Sequence, residues 1–256
     1  MKQKMTDEAL SRRLTRLELL EDIWGVLLLI ALPAGGIAWW ITKQMLCFAL
    51  PLIACMLGIF LIGGTARKKR AALLEEQLGD FFRAERERLF GADPHLPALT
   101  IDVPKLKENG LFSCVWEDAV IENAHGGAYR GMPFSAANVT LIHSFEEKMN
   151  AEDFMTRTEH TFEGIVVLCQ TDLPPYLLWK EALERESGGK LEGFSYTDGI
   201  LAFSLRTKQR FADVARGLSS AELEPVRQSY IQSLQFMQKP LDALLDAVAS
   251  GKENNG

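Results

Sequence analysis

Two uncharged apolar runs, residues 23–41 and 45–63, are separated by only Thr42, Lys43 and Gln44. At the helical rise per residue each run reaches about 28 Å, close to the hydrocarbon thickness of a bilayer. The pattern predicts a transmembrane helical hairpin over 23–64. A cleaved leader fits poorly, because the 22 residues ahead of the first run include five acidic ones beside their five basic ones. Cys47 follows Gln44, Met45 and Leu46, without the small residue that precedes a lipoprotein cysteine.

Lysine and arginine set the expected orientation. Lys2, Lys4, Arg12, Arg13 and Arg16 precede the first run and Arg67, Lys68, Lys69 and Arg70 follow the second, against Lys43 alone in the turn. Both termini are therefore expected in the cytoplasm. Trp24 opens the first run and Trp39 and Trp40 close it, as interface anchors do. The Arg67, Lys68, Lys69 and Arg70 cluster serves as topology signal and can also meet acidic headgroups. Small residues recur four apart, as Ala31 with Gly35, Ala34 with Ala38 and Ala54 with Gly58. They suit packing of the two arms, or homo-oligomerisation through the same faces. Neither run holds Asp, Glu, His, Lys or Arg, which argues against a transporter or an ion path.

The chain carries 28 basic and 34 acidic residues, and residues 1–70 hold 10 and 5 of these. The remainder is 18 against 29, net −11, which disfavours nucleic acid as a partner. Cys47 and Cys55 lie in the second run and Cys114 and Cys169 stand alone, so neither a disulfide framework nor a metal site is expected.

The organisation follows from periodicity. Residues 1–22 read as an amphipathic amino-terminal helix, and 65–91 as the basic collar and a juxtamembrane helix carrying Leu74, Leu78, Phe81, Phe82, Leu89 and Phe90 on one face. Gly91, Pro94 and Pro97 end it. Short strands are predicted at 119–121, 138–142, 163–168, 191–196 and 200–206. Gly126-Gly127 is expected to turn the first pair and Thr197-Asp198-Gly199 the last. Helices are predicted over 208–217 and 221–250, the second opened by a Ser219/Glu222 capping box and bent at Pro240. Residues 92–250 then form one cytoplasmic α+β domain, a mainly antiparallel sheet with a carboxyl-terminal helix packed on it, and 251–256 a disordered tail.

Chemical signatures are sparse. His125-Gly126-Gly127 matches the oxyanion-hole loop of α/β-hydrolases, with Ser135 as the first serine to test, but no Gly-x-Ser-x-Gly accompanies it. His125, His143 and His160 fit unrelated strand edges better than a metal site. Glu146, Glu147, Glu152 and Asp153, with Lys148 and Arg157, read as a solvated polar loop. No phosphate-binding loop is present, and no cofactor is implied.

The run Gly127-Ala128-Tyr129-Arg130-Gly131-Met132-Pro133-Phe134, then Asn138-Val139-Thr140-Leu141 and Phe162-Glu163-Gly164-Ile165, resembles the core pattern of the bacterial domain-of-unknown-function 3137 family over roughly residues 70–250. The resemblance implies a membrane hairpin, then a strand, a Gly-x-Tyr-x-Gly turn, a second strand, a Phe-x-Gly strand and closing helices. It carries over no catalytic residues, because that family has no assigned activity. The expected protein is a multi-pass protein of the bacterial inner membrane whose cytoplasmic domain binds a protein partner or a small ligand, with Tyr129, Arg130 and Phe134 as the tentative surface. A hydrolase-like, membrane-proximal enzyme is the alternative.

Overall fold

The computed structural model describes residues 5–148, 154–171, 177–186, 190–214, 219 and 221–253. The chain divides into two compact units, Met1–Arg83 with Arg216–Arg227, and Ala84–Ala215 with Gln228–Gly256.

The first unit is helical. Helix α1 (Asp7–Thr42) begins where the Thr6 hydroxyl accepts the Ala9 N–H, and it ends as Lys43 turns left-handed and bonds back to the Trp39 carbonyl. Helix α2 (Leu46–Gly58) passes through a π-helical turn (Ile59–Gly63) into α3 (Gly64–Phe90), which Gly91 terminates at φ +67° by donating to the Glu87 carbonyl. Pro33 and Pro51 are accommodated inside α1 and α2. Two helices, Asp7–Thr42 and Phe48–Phe90, are long and apolar enough to cross a membrane, and only 6 % and 17 % of their most apolar stretches are buried. Gly35, Cys55 and Gly58 are buried where the arms meet, whereas Ala34 and Ala54 face outward. Beyond the apolar stretch, Leu10, Leu14, Leu78, Leu223 and Val226 form a small core. Polar ties surround it: Glu18 pairs with Arg70 at 3.5 Å and accepts from Ser219 Oγ at 2.7 Å, and Asp7 takes both Arg227 nitrogens at 3.1 Å. The expected capping box does not form, because the Ser219 hydroxyl is turned to Glu18 and the Glu222 N–H goes to the Ser219 carbonyl instead.

The second unit is built on a five-stranded sheet, β1 (Asp118–Tyr129), β2 (Met132–Lys148), β3 (Phe154–Gln170), β4 (Lys190–Thr197) and β5 (Ile200–Arg206), in the order β1-β2-β3-β5-β4 with every pair antiparallel. Both faces are covered, which is why 134–139 and 162–169 are buried almost without interruption. On one face, Ala137, Val139, Leu141, Phe162, Val166, Leu168 and Ala202 pack with Leu99, Ile101, Leu106 and Leu111 from the segment holding a 3-10 turn (Pro97–Leu99) and helix α4 (Val103–Glu108). On the other, Phe134, Ala136, Ile165, Val167, Phe203 and Leu205 are buried with Phe90, Phe211 and the apolar stripe Tyr230, Leu234, Met237, Leu241 and Leu244 of α6 (Leu223–Glu253). Tyr129 Oη donates to Asp242 of α6 at 2.9 Å.

The β1–β2 turn lies at Arg130-Gly131, both at positive φ, and Gly126-Gly127 sits inside β1 opposite Ser135 and Phe134. No helix forms over 208–214. Asn138 Nδ2 donates to the Phe211 carbonyl at 2.8 Å and its Oδ1 accepts the Phe211 N–H at 2.7 Å, taking both groups a helix would need, and Ala212 stands at φ +50°. Residues 215–217 of that expected helix lie outside the described residues. Glu146, Glu147 and Arg157 belong to the paired ribbon 143–148/154–160, where Glu147 and Arg157 approach to 2.5 Å, and Glu152 and Asp153 lie outside the described residues. Helix α6 continues through Pro240 to Glu253, into the segment expected to be a tail. Helix α5 (Leu177–Glu186) lies between β3 and β4, where no element was predicted.

Candidate functional site

Helix α3 ends on one face of the sheet and the chain resumes on the other, and it crosses the edge strand β1 at Gly126-Gly127. A Cβ on Gly127 would lie 2.9 Å from both Phe90 Cβ and the Phe90 carbonyl oxygen, and one on Gly126 would lie 2.3 Å from an Asp93 carboxylate oxygen. The two glycines therefore serve close approach of a second chain segment. Beside them β1 bulges between Glu122 and His125, with Asn123 at φ +51°.

These departures from regular geometry enclose a cleft of about 330 Å³ between the loop that follows Gly91 and the β1–β2 pair. Its polar walls are Asp93, His95, Thr100 and Ser135, and its apolar walls include Pro94, Leu96, Pro97 and Ala124. Asp93 Oδ1 accepts the His95 N–H at 2.8 Å, and His95 is held at φ +47°. Ser135 is nearly buried and its hydroxyl donates, over 3.5 Å, to the His125 carbonyl. That hydroxyl is directed at a carbonyl and not at an imidazole, so the oxyanion-loop reading of His125-Gly126-Gly127 finds no activated serine here.

On the opposite face of β1 the His125 ring meets Arg86 of α3, whose Nη1 lies 3.0 Å from Nε2 and 3.3 Å from Tyr230 Oη. A guanidinium can only donate, so Nε2 is the unprotonated nitrogen. Burial, reinforced by the Arg86 charge, lowers the His125 pKa from 6.5 to about 4, with Asp93 opposing the shift. The unfolded chain therefore takes up a proton that the folded chain refuses. Stability is complete above pH 6.5 and is expected to fall as the pH drops toward 4. Glu117 and Glu192, held below the ordinary carboxylate range by hydrogen bonds from Ser144 and His143 and from Arg206, add to the loss only in the lower part of that window. Denaturation midpoints between pH 5 and 7 should thus slope for the native chain and flatten in His125→Gln, whose amide oxygen can still accept from Arg86.

The residues singled out in the sequence scatter. Of the tentative surface, Arg130 alone is open, with 61 % of its side chain exposed and a 3.2 Å contact to Asp242. Tyr129 and Phe134 are 7 % and 1 % exposed, and both stack edge-on against Phe90. Burial raises the Tyr129 pKa, and its bond to Asp242 adds to the shift. They are core, and Tyr-Arg-Gly is the hairpin turn. His143 bonds Glu117 at 2.8 Å, whereas His160 pairs in register with Ile142 and so faces the opposite side of the ribbon. Among the described residues no group of three His, Cys, Asp or Glu could hold a metal ion. Trp39 and Trp40 are exposed at the end of α1, with Lys43 Nζ 5.7 Å from the Trp40 ring, and Arg67, Lys68 and Lys69 are exposed on α3. The Trp24 side chain lies outside the described residues.

Asp93 and His95 were missed because Pro94 and Pro97 account for that stretch as a helix stop. The available signal was an Asp-Pro-His loop following a glycine-terminated helix. No family model, no curated protein and no solved structure matches the chain.

Proposed function

We propose that this protein is anchored in a bacterial inner membrane by the α1–α2 hairpin and that its α+β unit is a cytoplasmic binding module for a small ligand or a protein partner. The observation that carries the anchor is the exposure of the two apolar helices: a core helix of a soluble protein buries such a surface, and these leave Leu29, Trp40, Phe60 and their neighbours uncovered. The lysine and arginine asymmetry supports cytoplasmic termini. The resemblance of the run from Gly127 to Ile165 to the domain-of-unknown-function 3137 proteins is in keeping with such an anchor. The cleft at Asp93 and Ser135 supports the binding role, since a bulge, a required glycine and strained backbone converge on it.

The anchor is tested by fractionation and by a carboxyl-terminal reporter active only in the cytoplasm. The full chain should stay with membranes through alkaline carbonate and leave them only with detergent. Recovery in the carbonate-soluble fraction, or an inactive reporter on a stably produced chain, would refute it. Leu29→Arg with Ile53→Arg gives a sharper expectation. Both positions are exposed, so a water-facing surface would tolerate them, whereas a bilayer penalises each charge near a helix centre by about 3 kcal/mol. The double variant should be depleted from the carbonate-resistant pool.

A further inference from the structure

We infer that the cleft between the Asp93 loop and the bulged β1 strand recognises a small primary amine, its ammonium held by the Asp93 carboxylate and the Ser135 hydroxyl; this rests on the binding-module reading. Among the described residues the Asp93 charge is unbalanced. Asp93 Oδ1 is occupied by the His95 N–H, while Oδ2 has only the His95 ring at 3.6 Å, and no lysine or arginine among the described residues lies within ion-pair distance of it. With 40 % of its side chain exposed, the carboxylate can receive a donor from the cleft without first releasing one. Gly126 puts it there, because any side chain at that position would fill the space the carboxylate occupies.

The neighbouring strand supplies the matching acceptor. Ser135 pairs in register with Gly126 and gives its proton to the His125 carbonyl, which leaves the oxygen lone pairs for a ligand N–H. An ammonium offers several donors to these two acceptors, whereas a carboxylate or phosphate would meet repulsion from Asp93 and from a domain of net negative charge. Pro94, Leu96, Pro97 and Ala124 form the remainder of the wall and suit a short apolar body, and about 330 Å³ restricts the ligand to small molecules.

The probe is 4-fluorobenzylamine, titrated against the full chain in detergent micelles and followed by fluorine NMR, with 4-fluorobenzyl alcohol as the neutral isostere. The decisive variant is Asp93→Asn, which keeps Oδ1 as acceptor for the His95 N–H and so preserves the loop while removing the charge. Binding of the amine should saturate on the native chain and weaken about fivefold in Asp93→Asn, as expected for a partly exposed charge pair. The alcohol should bind at the weakened level to both. Gly126→Ala should also reduce amine binding by displacing the carboxylate, with trypsin resistance confirming that the variant is folded. Equal amine binding by the native chain and Asp93→Asn, or alcohol binding as tight as amine binding, would overturn the inference and leave a ligand site of another kind. Absence of saturation by either probe would also overturn it, and the binding-module reading would then be judged separately by crosslinking the native chain to a partner in cells.

Discussion

Replacing Gly193 with alanine is expected to leave the sheet unit without a stable native state. An added Cβ would lie 1.6 Å from the carbonyl oxygen of Leu111, a backbone atom in a residue that is itself fully buried. A flexible side chain could swing aside, but this contact is relieved only by moving β4 away from the segment that covers it. Overpacking against yielding side chains costs about 1–3 kcal/mol, and a clash with fixed backbone belongs at or above the top of that range. Gly164→Ala should behave alike, since its Cβ would meet the Leu205 carbonyl oxygen at 2.0 Å. Trypsin resistance of the full chain across a urea series would show both variants cleaved at far lower urea than the native protein. Gly36→Ala is the control: nothing lies within 4 Å of its Cβ in a helix, and its midpoint should hold or rise slightly. A native-like midpoint in Gly193→Ala would mean that β4 and Leu111 do not pack as described.

Asn138→Leu is expected to lower stability by about 3 kcal/mol, although leucine is similar in size and far more apolar. Asn138 is buried in the sheet and holds the N–H and the carbonyl of Phe211 together. Leucine would leave both backbone groups without their partner in a dry environment, and each loss carries a desolvation penalty of about 1–3 kcal/mol. Asn138→Asp separates the two bonds, because it can still accept from the Phe211 N–H but cannot donate to the carbonyl when ionised. It should be destabilised more at pH 8 than at pH 5. A shift below about 1 kcal/mol for Asn138→Leu, measured by the same urea series, would show that other groups satisfy Phe211.

The way Asn138 acts also shows where the sequence stopped being legible. The 208–217 stretch has acceptable helical periodicity, and nothing local reveals that a residue seventy positions earlier will claim its backbone groups. The amino-terminal helices were legible because their signal is composition over 19 residues, which no tertiary contact overrides. Strand cores at 138–142, 163–168 and 200–206 are legible as apolar or alternating runs divided by turn residues. Their true lengths were not, because the flanking 143–148 and 154–160 carry charged and polar residues that are compatible with an exposed ribbon and equally with a loop. Gly126-Gly127 was noticed for the wrong reason: adjacent glycines signal either a turn or a close approach, and only the position of Phe90 and Asp93 decides between them. The Asp93 cleft was illegible, since it exists only when a loop, a bulge and a neighbouring strand are brought together.

That crossing at Gly126-Gly127 has a consequence for association. β1 is the outermost strand on its side of the sheet, and an uncovered edge offers unpaired amides and carbonyls to any extended chain in a crowded compartment. The chain running from Phe90 to Asp93 lies across that edge, so a neighbouring molecule finds the Gly126-Gly127 end of β1 already occupied. The same two missing side chains that admit the crossing therefore hinder copies of the chain from joining sheet to sheet at that end of the strand.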